Sequence, residues 1–285
     1  MKNEDRDNII VYVDMKKQTS GLRRNPIDKF YTKNGVVKMC YALIRHHLNI
    51  DASNDLIIEP SAGNGSFAPI ISELCKDCRM YDLQPEADNI VKQDFLKLDY
   101  SKFSNKNVHI VGNPPFGRQS SLAIKFIRYS ALFSKSISFI LPKSFKKDSL
   151  QNKVPLNFHL LCQVDLPKNS FLVNEKEHDV PCVFQIWEKR ETKRLKKKKK
   201  EPKNFKFVKE NPDISFRRVG VNAGDVSTII EGKSKQSHYF IKFTTEESKR
   251  NFFYNYDKGV FKFDNTVGPR SISKPELIEV FNKIL

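Results

Sequence analysis

The feature that most restricts this chain is an alternation of short apolar runs with helix-periodic stretches between residues 56 and 141. Leu56-Ile57-Ile58 leads into a Gly-bearing loop, a helix is expected through Ala68 to Leu74, and a short strand over Arg79 to Tyr81. The pattern resumes with the strand His109-Ile110-Val111, a helix over Leu122 to Leu132 and a strand over Ile137 to Leu141. Strands that alternate with helices form a parallel sheet covered on both faces, so the fold class is α/β, doubly wound and Rossmann-like. Before this unit, Val36, Val37, Cys40, Leu43, Ile44 and Leu48 recur at the spacing of an amphipathic helix. After it, Val180 to Trp187 reads as a further strand, paired as a hairpin with Leu160 to Leu166.

These boundaries divide the chain of 285 residues into four parts. Residues 1–24 are an N-terminal arm with a strand-like run, Ile9 to Val13, and the pair Arg23-Arg24; residues 25–190 are the α/β domain. Residues 191–206 form a basic linker, because Lys193, Arg194, Lys196 to Lys200 and Lys203 are a charge run expected not to pack. Residues 207–285 are a smaller α+β accessory region with strand-like Asp213 to Val219 and His238 to Phe243. It closes with a helix announced by the capping-box pattern Ser273-Lys274-Pro275-Glu276.

The formal net charge of +17 favours a polyanionic partner through phosphate neutralisation, with a Lys-rich genome as the bland alternative. No apolar run is long enough to span a bilayer, and the polar start MKNEDRDN is unlike a signal peptide. An intracellular protein without membrane contact is expected, cytoplasmic, with nuclear import as the other reading of Lys196 to Lys200. Five cysteines, an odd number lying mostly in apolar segments, are expected to be free thiols, and Cys75 and Cys78 lack the further ligands of a metal site.

Two constellations carry chemistry. The first, Glu59-Pro60-Ser61-Ala62-Gly63-Asn64-Gly65-Ser66-Phe67, lies where a buried strand turns into a helix. Gly63 and Gly65 permit a tight turn and close approach of a ligand to the backbone. Glu59 ahead of the glycines would repel a pyrophosphate but suits an ammonium or sulfonium group. Asp82, after the next strand, stands where doubly wound folds place an acceptor for ribose hydroxyls, and Asp94-Phe95 offers a polar and a stacking contact to an adenine ring. Asp82 as a helix cap and Asp94 as a turn residue are the structural alternatives.

The second constellation is Asn113-Pro114-Pro115-Phe116, directly after a core strand. Two prolines fix a rigid extended turn with unpaired carbonyls. An exocyclic amine conjugated to a purine is a poor nucleophile and needs acceptors that hold its hydrogens while its lone pair develops. The Asn113 side-chain oxygen and the Pro114 carbonyl supply two such acceptors, and Phe116 can stack on the base.

With these residues in view the chain resembles the N6-adenine methyltransferases of the class I S-adenosylmethionine fold, in the gamma-type motif order. The resemblance covers residues 25–190 and implies a Rossmann-like methyltransferase sheet with S-adenosylmethionine as cofactor. It implies that Phe30, Tyr31 and Thr32 contact the methionine end of the cofactor and that Glu59, Pro60, Ala62, Gly63, Asn64 and Gly65 form its loop. Asp82 is then the ribose ligand, Asp94 and Phe95 meet the adenine, and Asn113, Pro114, Pro115 and Phe116 hold the target amine. Phe171 is the candidate clamp on the other face of an extruded base, with core packing as its alternative. The resemblance also places target recognition C-terminally, where Arg217 and Arg218 are candidate contacts; Lys143, Lys146 and Lys147 are candidate phosphate ligands beside the pocket. Phe116 departs from the commoner Tyr. Similar tetrads occur in enzymes acting on guanine N2, cytosine N4 and a protein glutamine amide, and an RNA adenine is the other nucleic-acid reading. DNA is placed ahead of RNA as partner, and a silent nucleic-acid-binding subunit is the rival from another class.

Overall fold

A computed structural model describes residues 30–198, 200–261 and 270–285; the arm expected over residues 1–24 lies outside the described residues. The chain enters through a short strand, β1 (Tyr31–Thr32), and the helix α1 (Asn34–His47), which buries Val36, Val37, Cys40 and Ile44 as one stripe. The expected alternation follows: β2 (Leu56–Glu59), α2 (Ala68–Leu74), β3 (Cys78–Asp82), β4 (Val91–Lys92), β5 (Val108–Gly112), α3 (Ser121–Phe133) and β6 (Ser136–Pro142). A short helix, α4 (Asp148–Gln151), leads to β7 (Phe158–Asp165), the hairpin β8 (Phe171–Val173) and β9 (Lys176–His178), and β10 (Cys182–Lys189).

Seven strands form one sheet in the order β4-β3-β2-β5-β6-β10-β7. β4 to β6 are parallel, and β10 runs antiparallel to both β6 and β7, which makes the hairpin expected from Val180 to Trp187. Strand order runs outward from β2 in both directions, so the winding reverses between β2 and β5. Crossovers leave that point towards opposite faces and open a crevice at the carboxyl ends of the two strands. β2, β5 and β6 are buried along their whole length, because helices cover both faces. One face packs α1 and α2 against Ile57, Val111, Ile140 and Ile186. The other packs α3 against Ile58, Ile110, Phe139 and Trp187. At the amino ends, His109 bridges Asp55 (Nε2 to Oδ2, 3.2 Å) and Ser136 (Nδ1 to Oγ, 2.7 Å), fastening β2, β5 and β6 below the core.

The basic run corrects one expectation. Its described residues between Lys193 and Lys203 form no helix or strand, yet the run packs: the Arg194 guanidinium donates to the carbonyls of Gln151 (2.6 Å), Val154 (2.9 Å) and Phe158 (2.9 Å) and lies 5.3 Å from the Trp187 ring centroid. Lys197 continues the docking with Asp148 (2.7 Å), so the run climbs back along α4.

Beyond it, β11 (Phe205–Phe207), β12 (Ile214–Arg217), β13 (Val226–Ser227) and β14 (His238–Phe243) form an antiparallel sheet in the order β11-β14-β12-β13. The helices α5 (Glu246–Asn255) and α6 (Lys274–Ile284) cover it over a core of Phe205, Phe216, Phe243, Phe252 and Phe281. In the α6 cap, Glu276 accepts from the Ser273 N–H (2.8 Å) and also from Lys147 Nζ (2.8 Å), which ties the accessory unit to the loop after β6. No helix among the described residues is long and apolar enough to cross a membrane.

Arg194→Ala leaves three carbonyls without their charged donor and uncovers Trp187. The expected loss is about 2 kcal/mol, read by thermal denaturation as a fall of roughly 4–8 °C in Tm. An unchanged Tm would show that the run is not docked in solution.

Candidate active site

The switch point brings the ends of β2 and β5 together. Glu59, the last residue of β2, is 2% exposed and lies against Gly112, the last residue of β5. A Cβ at Gly112, whose φ is +151°, would stand 3.2 Å from Glu59 Cγ, so glycine is required for this approach. Glu59 Oε2 is buried with no hydrogen-bond partner among the described residues. Burial pushes the Glu59 carboxyl well above its ordinary value, and the charge of Asp82 adds to the effect. A buried acid without a cation is a costly arrangement, and it suits a ligand that brings positive charge.

The loop after Glu59 is folded around Asp82. Gly63 N–H donates to Asp82 Oδ2 (2.8 Å), Gln84 N–H donates to Oδ1 (2.8 Å), and Ala62 N–H donates to the Tyr81 carbonyl (2.9 Å). Gly63 and Gly65 take φ of +54° and +81°, the left-handed conformation that lets the chain turn twice before α2. Asn64 Oδ1 accepts from Ser66 N–H and Oγ–H, and Pro60 is buried beneath the turn. Each Asp82 oxygen keeps a lone pair for a hydroxyl donor. Asp82 therefore plays a structural part as an acceptor for loop N–H groups, not as the helix cap named as its alternative.

The segment Phe30-Tyr31-Thr32 is brought to the same edge by an unexpected non-local pairing: β1 adds antiparallel to β8, with Tyr31 opposite Leu172 and Thr32 opposite Phe171. The Tyr31 hydroxyl donates to the Glu86 carboxylate (2.7 Å) and its ring passes 3.5 Å from where a Gly63 Cβ would lie. Burial, and then the bond to Glu86, pushes the Tyr31 phenol up to about 12. Asn113 Nδ2 donates to the Phe30 carbonyl (3.3 Å) and to Thr32 Oγ1 (3.4 Å), and that orientation leaves Asn113 Oδ1 buried without a partner among the described residues. Ser61 Oγ–H donates to the Asn113 carbonyl (3.2 Å). Pro114 is buried, Pro115 and Phe116 are half-buried, and the Phe116 carbonyl accepts from Leu122 and Ala123 N–H at the entry to α3. The first constellation, the tetrad and the early segment thus share one crevice, and Glu86 and Gly112 join them.

Several expectations are corrected. Phe95 is 1% exposed and stacked on Phe126 at 5.5 Å in the core, so its ring cannot lie on a ligand. Asp94 caps the short 3₁₀ turn that begins at Phe95, accepting from Leu96 N–H (3.0 Å), which is its structural alternative realised. Phe171 is 0% exposed and meets Phe30 edge-on at 6.1 Å; it is a core ring that seats the early segment, not a clamp on a base. Lys143 and Lys146 both pair with Asp165, at 3.3 and 2.8 Å, and Lys147 pairs with Glu276, so much of their charge is compensated by protein. Arg217 and Arg218 sit on the accessory sheet, where Arg217 Nε donates to the Val219 carbonyl (3.0 Å) and Arg218 lies 5.2 Å from the Tyr239 ring centroid.

No protein-family model matches the chain, and no curated protein matches it. Among solved structures it is similar to the 23S rRNA methyltransferase ErmE, at 14% identity over 59% of this chain and 72% of that one, with a TM-score of 0.42. An rRNA methylase from Streptococcus thermophilus is similar at 14% identity over 53% of this chain and 94% of that one, with a TM-score of 0.37. A type I restriction-modification methyltransferase subunit from Streptococcus thermophilus is similar at 16% identity over 57% of this chain and 45% of that one, with a TM-score of 0.41.

A carboxyl raised on folding favours the native state below the unfolded value, and its contribution is lost as pH rises towards the folded one. Glu59→Gln removes the titration. The variant is expected to exceed the parent in Tm by an amount that opens above the ordinary carboxyl range, reaching about 1 kcal/mol, or roughly 2–4 °C, at pH 8. Scanning fluorimetry from pH 4 to pH 8 checks this, and a constant or negative difference would mean that Glu59 is satisfied in the free protein.

Proposed function

We propose that this protein is an S-adenosylmethionine-dependent methyltransferase that methylates an exocyclic amine, the N6 amine of adenine in DNA. One observation carries the reading: two buried acceptors, Glu59 Oε2 and Asn113 Oδ1, stand without partners among the described residues at the carboxyl ends of the two switch-point strands. One suits a cation and the other an N–H donor.

The residues present fit the cofactor. Glu59 offers a carboxylate to its cationic end, the loop Pro60 to Gly65 offers close backbone approach, and Asp82 offers acceptors to ribose hydroxyls. Phe30, Tyr31 and Thr32 close the pocket from the β1 side. When bound, S-adenosylmethionine supplies a methyl group on a positively charged sulfur. For the amine, Asn113 Oδ1 and the Pro114 carbonyl accept its two hydrogens and turn its lone pair out of conjugation, while Phe116 stacks on the base. Phe30 and Thr32 keep the Asn113 oxygen, rather than its nitrogen, turned to the amine. The proton leaves after transfer, from a nitrogen made acidic by its fourth bond, so no strong general base is required. The target base must leave its stack to reach a crevice at the strand ends, and the net charge of +17 supports a phosphate-bearing substrate.

The test is transfer of labelled methyl from S-adenosylmethionine to matched single-stranded DNA, double-stranded DNA and RNA, followed by nucleoside analysis. N6-methyldeoxyadenosine is the expected product, and Asn113→Ala is expected to lower transfer by about 10²–10³-fold while cofactor binding and Tm are kept. Label in the RNA arm alone would move the reading to RNA. Cofactor binding without transfer to any arm would overturn the nucleic-acid substrate.

A further inference from the structure

At the opposite edge of the sheet from the tetrad, where β5 and β6 begin and β10 ends, lies a cleft of about 690 Å³. Its lining includes Lys106, Lys135, Lys189, Arg190 and Lys193, and the acid among its lining residues is Glu191. Two of the cations have acidic partners, Lys106 with Asp77 (3.7 Å) and Arg190 with Glu188 (3.3 Å). Lys135, Lys189 and Lys193 have no ion pair among the described residues. The frame that holds them is rigid: Lys135 N–H donates to the Val108 carbonyl (2.7 Å), Lys189 N–H to the Lys135 carbonyl (2.8 Å) and Arg190 N–H to the Asn157 carbonyl (2.8 Å). Three ammonium groups without acidic partners along one open cleft give it an excess of positive charge that suits a polyanion.

We infer that this cleft binds the sugar-phosphate backbone of the nucleic-acid substrate at a distance from the reacting base, an inference that rests on the nucleic-acid reading above. Three observations choose a polymer over a small phosphate. The cleft is open and wide rather than a closed cradle for one group. It leads at Lys193 into the docked basic run, where Lys196 and Lys198 are exposed along α4 on the way back to the loop after β6. The depth of the sheet separates it from Asn113, on the order of 15 Å at about 3.3 Å per residue of β5, a span that successive backbone phosphates of one strand can bridge. Contacts of this kind carry no sequence information; they fix register and raise affinity in a salt-dependent way.

The test compares the parent with the triple variant Lys135→Ala, Lys189→Ala, Lys193→Ala. Fluorescence anisotropy of labelled 30-nucleotide DNA and RNA is measured between 50 and 300 mM salt, with inorganic phosphate as competitor and S-adenosylmethionine affinity and Tm as controls. The expected result is a fall of about 2–3 in the slope of log affinity against log salt, with cofactor affinity and Tm kept and millimolar phosphate a poor competitor. An unchanged slope overturns the cleft proposal and leaves the substrate reading standing if methyl transfer to the same oligonucleotide persists. Efficient displacement by phosphate would instead assign the cleft to a small anion and overturn the polymer form. If the parent binds no oligonucleotide yet binds S-adenosylmethionine, the cleft proposal and the nucleic-acid reading both fall, and the methyltransferase reading is left to another class of amine.

Discussion

Glu59 and Gly112 meet at the carboxyl ends of neighbouring parallel strands, and the geometry of the site follows from that contact. The absence of a side chain at Gly112 lets the carboxyl lie inside the sheet edge, and the buried runs of β2 and β5 hold the two backbones at fixed spacing. The loop that carries Gly63 and the tetrad that carries Asn113 leave from these same two residues, so a shift of either strand moves both halves of the crevice together. The sheet tolerates an unpaired acid here because layers on both faces supply apolar burial far in excess of that local cost.

A second device completes the crevice from a distance along the chain. β8 and β9 form a small hairpin whose free edge receives β1, and Phe171 beneath that edge seats Phe30. The result is a carbonyl and a hydroxyl placed to accept from the Asn113 amide. An amide has two faces of opposite hydrogen-bonding character, and a site that needs its oxygen must bind its nitrogen. Tyr31 reaches Glu86 from the same strand and links the clasp to the glycine turn.

The central alternation was legible because buried parallel strands are continuous apolar runs and the helices between them keep a 3.6-residue period. The two constellations were legible because each sits at the end of such a run. The clasp was not: β1, β8 and β9 are two or three residues long, without periodicity, and their pairing is non-local. The helix α5 escaped because the cap residue Thr245 has Ser248 as its N3 partner, where the expected signature has Glu or Gln. Phe95 departs from its expected role, and Phe171 takes its core alternative, for a shared reason: an aromatic residue beside a motif has one letter whether its ring faces a ligand or the core. Burial decides between them, and burial belongs to the tertiary structure. The same holds for Lys143 and Lys146, whose partner Asp165 arrives on a later strand.

Arg194 changes what the segment between the two units is. Pinned to three carbonyls under Trp187, with Lys197 held by Asp148 and α6 held by Lys147, the segment acts as a bracket where its composition suggests a leash. A leash would let the accessory sheet search a volume, at the entropic cost of stopping it; a bracket sets one separation between that sheet and the crevice at Glu59. The two units then work like the jaws of a caliper, with a gauge length written into the skeleton of the protein.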